Sequence, residues 1–281
     1  MNHRHFLTAL QIEWTGLPTS MLAAVSLLLL MLVPATAAWA GAVADRVQAR
    51  SELRVCIWPQ YYGVTMRDPR TGTLRGLDVD LSAAFAADLG VRLTYVDSSF
   101  PTLVADLLED RCDVAMFGVA MLPARQEKLR FARPYLASDI YAVTTRANRV
   151  VRQWEDIDQP GVQVAVQAGT FMEPVMADAL KKATLVRVAP PATRERELEA
   201  GRVDVFMTDY PYSRRLLDNA DWARLLTPPR PFHVLPYSHA VKPGDDAWWS
   251  TVDSFVQRIQ RDGRLEAAAA RHGLQPIVRL Q

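Results

Sequence analysis

The sequence predicts an α/β protein built of two lobes, each with a mostly parallel sheet flanked by helices. Short apolar strands alternate with amphipathic helices over 53–117, and the alternation begins again after a polar stretch at 145–159. A block also recurs, as LLEDRCDVAMF at 107–117 and LEAGRVDVFMT at 198–208. Alternation of this kind is typical of parallel sheets. The recurrence indicates one helix-to-strand unit used in both lobes, although short βα segments can also resemble each other without a duplication.

The first lobe begins with a predicted βαβ unit. Its helix carries Leu81, Phe85 and Leu89 at a spacing of four, which places them on one face, and it ends at Gly90. A second helix opens at Pro101, a residue that is favoured at the first position of a helix. The strands of this lobe are predicted at 53–57, 91–96 and 113–117.

The second lobe repeats this order after the polar stretch. A helix follows the pair Gly169-Thr170 and another begins at Thr193. Two further helices end the chain, at 245–262 and 264–272, each followed by glycine, and we expect them to pack back on the first lobe. The strands of the second lobe are predicted at 162–166, 185–188 and 203–208.

The first forty residues are predicted to be a signal peptide. Residues 14–44 carry no charge, 21–33 are almost entirely apolar, and Ala38 and Ala40 are the small residues that a signal peptidase requires. We expect cleavage after Ala40 and a periplasmic protein, although the uncharged stretch is also long enough for an uncleaved anchor. After the signal peptide, lobe 1 is predicted to comprise residues 49–138 and 239–281, and lobe 2 residues 139–238.

Composition excludes several classes of function. The formal net charge is +1 and the isoelectric point about 7.8, so no electrostatic field favours nucleic acid as a partner. The sequence contains no GxSxG, GxGxxG, GxxxxGK[ST], HExxH or CxxC motif. Three histidines, His233, His239 and His272, lack the spacing of metal ligands and are expected to be structural or exposed. We therefore expect no metal, no cofactor and no catalytic nucleophile.

The two cysteines, Cys56 and Cys112, leave two interpretations open. Export would permit a disulfide. Cys56 falls late in one predicted strand and Cys112 just before another, so neighbouring parallel strands would hold them about 10 Å apart at roughly 3.3 Å per residue. We expect both to be buried small apolar residues rather than bonded partners.

Polar residues collect where predicted strands end, which is where open α/β sheets bind ligands. Gly118 and Arg125 follow one strand, Gly169-Thr170 opens a helix after another, and Asp209 follows a third. A cation, a helix N-terminus and an anion together complement a small zwitterion. Taken singly, Arg125 could be a surface residue, Gly169-Thr170 a turn, and Asp209 a helix N-cap.

Four motifs resemble the periplasmic solute-binding proteins of polar amino-acid ABC transporters, a likeness that covers essentially all of 54–273. The resemblance implies the two-lobed fold of type II periplasmic binding proteins. It also implies a monomer that captures a small amino-acid-like ligand in the cleft, delivers it to ABC permease subunits in the inner membrane and does no chemistry. The motifs are GLDVDLSAAFAADLG (76–90), DVAMFGVAMLPARQEKLRFARPY (113–135), VAVQAGT (164–170) and MTDY (207–210).

The resemblance also assigns ligand-binding roles. Arg125 matches the arginine whose guanidinium forks onto the ligand α-carboxylate, a geometry that lysine cannot supply. Thr170, after Gly169, matches the hydroxyl and N–H beside that carboxylate, and Asp209 matches the acceptor of the α-ammonium. The resemblance also implies that Tyr61 and Phe100 form aromatic walls around the ligand side chain. It implies that the backbone carbonyls of Phe117 and Gly118 face the ligand. Each of these residues could equally belong to the core.

Two positions depart from the family pattern. Ala120 stands where many members have a serine or threonine that holds the amino group, and Trp58 stands where binders of basic amino acids have aspartate. Trp58 is still expected at the ligand. These departures argue against lysine, arginine or histidine as ligand, and they leave open a ligand that is not a standard α-amino acid.

A looser resemblance joins the chain to periplasmic cyclohexadienyl dehydratases, enzymes on the same scaffold. In these enzymes a glutamate just after the Gly-Thr helix start is a general acid, and Glu173 is the matching candidate. Glu173 lies one residue beyond the expected position, which turns a helical side chain by about 100°. We therefore expect it to be solvated in the first turn of its helix.

A receptor sensor domain is a third possibility, although no membrane span or signalling segment follows the last helix in this sequence.

Overall fold

A computed structural model describes residues 42–280, except for the side chain of Arg215. The predicted signal peptide, its cleavage site and the alternative anchor lie outside the described residues. Within 42–280, no helix has the length and apolar character needed to cross a membrane.

The first lobe contains a sheet in the order β5-β1-β6-β14-β7, with β8 paired to β14. Strands β5, β1 and β6 run parallel, and β14 runs antiparallel to its neighbours. A small antiparallel sheet, β2-β3-β4, lies beside them. The elements up to the first crossing into the second lobe are α1 (Ala42–Arg50), β1 (Glu52–Ile57), β2 (Gln60–Tyr61), β3 (Thr65–Arg67), β4 (Leu74–Arg75), α2 (Leu77–Leu89), β5 (Arg92–Asp97), α3 (Leu103–Leu108), β6 (Val114–Ala120), α4 (Pro123–Gln126), β7 (Arg130–Phe131) and β8 (Leu136–Ser138).

The second lobe contains a sheet in the order β11-β10-β12-β9-β13. Strands β11, β10 and β12 run parallel, and β9 is antiparallel to both β12 and β13. Its elements are β9 (Ile140–Thr145), β10 (Gln163–Gln167), α5 (Met172–Ala179), β11 (Thr184–Val188), α6 (Arg194–Glu199), β12 (Val205–Asp209), α7 (Tyr210–Leu217) and β13 (Ala223–Leu226).

The chain then returns to the first sheet through β14 (Leu235–Val241) and ends with α8 (Asp246–Arg261) and α9 (Arg264–Arg271). Helix α8 packs on α1 and α9 packs on α2, as expected for the tail. Phe255 of α8 lies 4.6 Å from Phe85 of α2 between ring centroids. The predicted boundary at 138/139 falls between β8 and β9, and the one at 238/239 falls within β14. We propose these two positions as the boundaries between the lobes.

The recurring sequence block forms the same unit in both lobes. The Asp113 N–H donates to the Arg54 carbonyl at 2.8 Å, and the Asp113 carboxylate accepts from the Arg54 N–H, also at 2.8 Å. Asp204 accepts from the Gln163 N–H in the same way, also at 2.8 Å. Each aspartate thus fixes the register of one parallel strand pair, and the predicted α/β class with two lobes is confirmed.

The expectation for the cysteines is wrong. Cys56 and Cys112 form a disulfide, with their Cα atoms 5.5 Å apart. The register pairs Cys56 with Ala115, and Cys112 lies before β6 begins, in a segment that is not extended. The 10 Å estimate assumed a straight strand over that interval. The bond therefore ties the end of β1 to the loop that leads into β6.

Candidate functional site

A small cavity, of about 20 Å³, lies between the two sheets, at the carboxyl ends of their parallel strands. Both lobes and the returning strand β14 contribute to its wall. The lining residues are Trp58, Tyr61, Phe100, Gly118, Ala120, Arg125, Thr170, Phe171, Met172, Arg194, Thr208, Asp209, Tyr212 and Tyr237.

The structure brings most of the predicted site residues together at this cavity. Phe117 and Gly169 are the two that do not line it. Phe117 lies behind Phe100, with ring centroids 5.2 Å apart, and Gly169 contributes its carbonyl to Arg125. The predicted residues that line it are Trp58, Tyr61, Phe100, Gly118, Arg125, Thr170 and Asp209.

Arg125 is a buried cation on α4. Its guanidinium donates to the carbonyls of Ala120 at 3.1 Å and Gly169 at 2.7 Å, so one side chain contacts both lobes. No carboxylate of residues 42–280 lies within 4 Å of it. Burial lowers the pKa of Arg125 to about 10, because the charged form loses its hydration. A buried guanidinium in this state gains most from an anionic partner.

Asp209 ends β12 and is 2% exposed. Its Oδ1 accepts from the N–H of Tyr212 at 3.1 Å, so the helix N-cap interpretation holds. Its Oδ2 accepts from the hydroxyls of Tyr61 and Tyr237, the latter at 2.7 Å. Burial raises the pKa of Asp209, while the two tyrosine hydroxyls, the Tyr212 N–H and the positive charge of Arg194 oppose that rise. One carboxylate is thus a cap, a cavity residue and a link between the lobes.

Gly169 and Thr170 form the turn before α5. Gly169 has a φ of +76°, and its N–H donates to the carboxylate of Glu173 at 2.8 Å. The Thr170 hydroxyl donates to the carbonyl of Gln167 at 2.7 Å, and its N–H bonds to the same carbonyl at 3.2 Å. Thr170 therefore lines the cavity with both its hydroxyl hydrogen and its N–H already donated to Gln167.

Aromatic rings form the wall on the first lobe. The centroid of Trp58 lies 5.4 Å from that of Tyr61 and 5.2 Å from that of Phe100. Across the cleft, Trp58 stacks on Tyr212 at 6.4 Å with an interplanar angle of 11°. Such rings suit a ligand with an apolar portion.

Gly118 is held by a buried network behind the cavity. Its N–H donates to Asp78 at 2.8 Å, and the hydroxyl of Tyr135 donates to the same carboxylate oxygen at 2.5 Å. Gly118 has a φ of +62°, and a Cβ there would meet the ring of Tyr61 at 3.1 Å. His239, predicted to be structural, contacts Asp78 at 3.4 Å. The network fixes the backbone on which Tyr61 rests.

The sequence analysis did not assign several lining residues. Tyr237 arrives on β14, far along the chain, and Arg194 is one of 28 arginines. Thr208 stands directly before Asp209 and Tyr212 three residues after it, which is a local signal that could have included them. Phe171 and Met172 follow Thr170 in the same way. Within 42–280, no cluster of three or more His, Cys, Asp or Glu could hold a metal ion.

Two α/β lobes, crossing strands and a cleft lined by charged and aromatic groups define a bilobal protein that binds small molecules. The family model for bacterial extracellular solute-binding proteins, family 3, matches residues 53–275. The chain belongs to this family.

Relatives within the family include both an enzyme and transport proteins. Cyclohexadienyl dehydratase of Pseudomonas aeruginosa is 30% identical over 222 residues, which cover 79% of this chain and 82% of that protein. The L-cystine-binding protein TcyJ of Escherichia coli is 24% identical over 196 residues, covering 70% and 73%. The sequence likeness therefore extends to both functional classes.

Solved structures agree on the fold. The ancestral amino acid-binding protein AncCDT-1, described as a precursor of cyclohexadienyl dehydratase, has a TM-score of 0.74 and 26% identity, covering 81% of this chain and 97% of that one. A mutant of ArgBP from T. maritima has a TM-score of 0.72 and 25% identity over the same shares. Both confirm the bilobal solute-binding fold.

Proposed function

We infer that this protein captures a small amino-acid-like solute outside the cytoplasm and delivers it to the permease of an ABC transporter. The observation that carries the proposal is Arg125, a buried guanidinium with two carbonyls as partners, which lines the same cavity as Asp209. A carboxylate on Arg125 and an ammonium near Asp209 would complete the cleft. The amino-acid-binding relatives support this assignment.

We also propose that the protein is periplasmic, exported by a cleaved signal peptide, and monomeric. The family's extracellular character supports export. The Cys56–Cys112 disulfide is an additional support, because such bonds persist in oxidising compartments.

Native mass spectrometry of protein purified gently from cells is the direct test. We expect a mass increment of a single small solute that is lost on denaturation. Purified protein that carries no solute and binds none of the amino acids in a calorimetric panel would contradict the proposal.

Ligand binding should stabilise and compact the protein, because both lobes contribute to one cavity and a closed cleft is the form that a ligand selects. At a ligand concentration of 100 Kd the free energy of unfolding rises by about 2.7 kcal/mol. For a chain of this size we expect Tm to rise by about 5–10 °C. Small-angle scattering with and without ligand should show a smaller radius of gyration in its presence, whereas identical profiles at saturation would count against a closing cleft.

A second candidate is an enzyme of the cyclohexadienyl dehydratase type, acting on prephenate or arogenate. The observation that favours it is the 30% identity to the Pseudomonas aeruginosa enzyme over most of both chains. A general acid in this role must reach a departing hydroxyl with its proton held near neutral pH. Glu173 is the residue that must fill that role.

The contacts of Glu173 favour the binding protein instead. Glu173 is not among the cavity-lining residues. One carboxylate oxygen accepts from the Gly169 N–H at 2.8 Å and the other from Arg187 at 2.7 Å, with 26% of the side chain exposed. A carboxylate held by a turn N–H and an arginine, outside the cavity lining, is not placed to protonate a departing hydroxyl there.

We expect Glu173→Gln to change ligand affinity by no more than a few-fold, and the parent protein to turn over neither prephenate nor arogenate. The measurement is a paired assay, calorimetry for binding and product detection for phenylpyruvate and phenylalanine. Arg187→Gln is the matched control, because it removes the other member of the ion pair and should behave alike. Product formation that disappears in Glu173→Gln but persists in Arg187→Gln would establish the enzyme.

A further inference from the structure

Arg194 is a second buried cation at the cavity. It begins α6, is 3% exposed, and donates through Nη1 to the carbonyl of Met207 at 2.7 Å. Its guanidinium carbon lies 4.7 Å from the ring centroid of Tyr212 and 5.2 Å from that of Phe206. Its Nε has no hydrogen-bond partner, and its positive charge acts on the carboxylate of Asp209 without a hydrogen bond to it. The side chain is held in place by two rings and one carbonyl, and no carboxylate is hydrogen-bonded to it among residues 42–280.

Thr208 supplies a second unsatisfied group in the same wall. It lies on β12, directly after the Met207 that receives the Arg194 hydrogen bond, and it is 1% exposed. Its hydroxyl has no partner among the described residues. Buried polar atoms without partners are rare and destabilise a folded protein. The Nε of Arg194 and the hydroxyl of Thr208 belong to residues of the second lobe that line the same cavity. They therefore indicate a ligand group that forms hydrogen bonds with both.

The charge of the lining shows which kind of group this is. The charged side chains that line the cavity are Arg125 and Arg194, both cationic, and Asp209, which is anionic. A zwitterion bound by Arg125 and Asp209 carries no net charge, so the net charge of +1 on the lining would remain and Arg194 would have no carboxylate hydrogen-bonded to it. An additional negative charge on the ligand would neutralise the lining.

The cavity offers less to a ligand ammonium than it offers to carboxylates. Asp209 already accepts three hydrogen bonds, from Tyr61, Tyr237 and the Tyr212 N–H, which leaves about one of its four acceptor positions. Ala120 offers no hydroxyl. The cavity therefore provides two cationic sites and a partly occupied anionic one.

We propose that the ligand carries two carboxylates, one bound by Arg125 and the other by Arg194 together with the hydroxyl of Thr208. This rests on the proposed capture of a small solute and names its class: an acidic amino acid or a related dicarboxylate. The aromatic wall receives the carbon skeleton between the two groups, and the carboxylates carry most of the recognition.

Calorimetry with two matched pairs of compounds tests the proposal. L-glutamate and L-glutamine differ in one carboxylate, and so do phenylsuccinate and 3-phenylpropanoate, which add an aromatic ring. In at least one pair we expect the dicarboxylate to bind about 30-fold or more tighter than its partner, the effect of losing one member of a buried charge pair. Equal binding within both pairs, or measurable binding of neither dicarboxylate, would overturn the proposal.

Variants show whether Arg194 is the cause of that preference. Arg194→Gln should reduce the preference to a few-fold while leaving the affinity for the single-carboxylate compound nearly unchanged. Arg194→Lys should retain more of the preference for the dicarboxylate than Arg194→Gln does. Thr208→Val keeps the shape of the side chain and should lower the affinity for the dicarboxylate only. Arg196→Gln is the control, because Arg196 is exposed on the same helix. Should Arg194→Gln fail to fold, the Lys and Val variants still decide the question.

The two proposals fail in different ways. A neutral amino acid that co-purifies and binds equally to the parent and to Arg194→Gln would overturn the dicarboxylate and leave solute capture intact. A protein that binds no member of either pair and none of the amino acids in the calorimetric panel, and that carries no co-purified solute, would overturn both.

Discussion

Arg125→Ala is expected to abolish ligand binding while the protein stays folded. The ligand carboxylate would lose its forked partner inside a closed cavity, at a cost of about 3–5 kcal/mol, which is roughly 10² to 10³ or more in Kd. Removal of the cation should not unfold the chain, because burial already disfavours its charge and its partners are two carbonyls. Calorimetry measures the affinity and thermal unfolding checks the fold.

Arg125→Lys separates charge from geometry. Lysine keeps the positive charge but is a point donor that cannot fork onto a carboxylate, so the variant should lose nearly as much affinity as alanine. Lys128→Ala removes an exposed cation one turn further along and should bind as the parent does. Unchanged affinity in either Arg125 variant would remove this residue from the site.

Loss of the Cys56–Cys112 bond is expected to lower the free energy of unfolding by about 4 kcal/mol, because the bond closes a loop of 56 residues in the unfolded chain. For a chain of this size that corresponds to a fall in Tm of about 8–16 °C. The measurement is denaturant unfolding of the double variant Cys56→Ala, Cys112→Ala beside the oxidised parent. Each single variant should match the double one, since either breaks the bond.

Thiol titration of the denatured parent provides the independent check. Protein exported to an oxidising compartment should show no free thiol. Two free thiols, or coincident unfolding curves for the parent and the double variant, would contradict the bond.

The elements of the fold were predictable because local patterns determine them. The helix that carries Leu81, Phe85 and Leu89 ends at Gly90 in the left-handed conformation, as its spacing and glycine predict. Thr193 caps α6 through its side chain. The six strands predicted from the sequence lie within a few residues of β1, β5, β6, β10, β11 and β12, because short apolar runs between helices have few alternatives in an α/β chain.

The core of the candidate site was predictable for a different reason. Arg125, Thr170 and Asp209 follow parallel strands, and the carboxyl ends of such strands meet at one edge. Tyr237 and Arg194 could not be assigned in this way. Tyr237 reaches the cavity on a strand that pairs with β6 from more than a hundred residues away, and Arg194 begins a helix whose sequence resembles a solvated one.

The cysteines show the limit of estimating distance from strand spacing. The estimate depended on where β6 starts, and a difference of one or two residues at that boundary changes the separation by several ångströms. Register and strand ends are decided by contacts between segments that are distant in sequence. Asp113, which bonds the backbone of Arg54, is one such contact.

Gly169 gives the cleft a mechanical stop. Its backbone lies against Pro101 of the opposite lobe so closely that a Cβ would come within 2.8 Å of the proline nitrogen. The approach of the two lobes is thus limited by main chain meeting a rigid ring, with no side chain between them to yield. Any larger residue at this point would hold the two lobes apart and shift the conformational equilibrium toward the open form. The observed approach of the lobes therefore requires glycine, which has a hydrogen atom in place of Cβ.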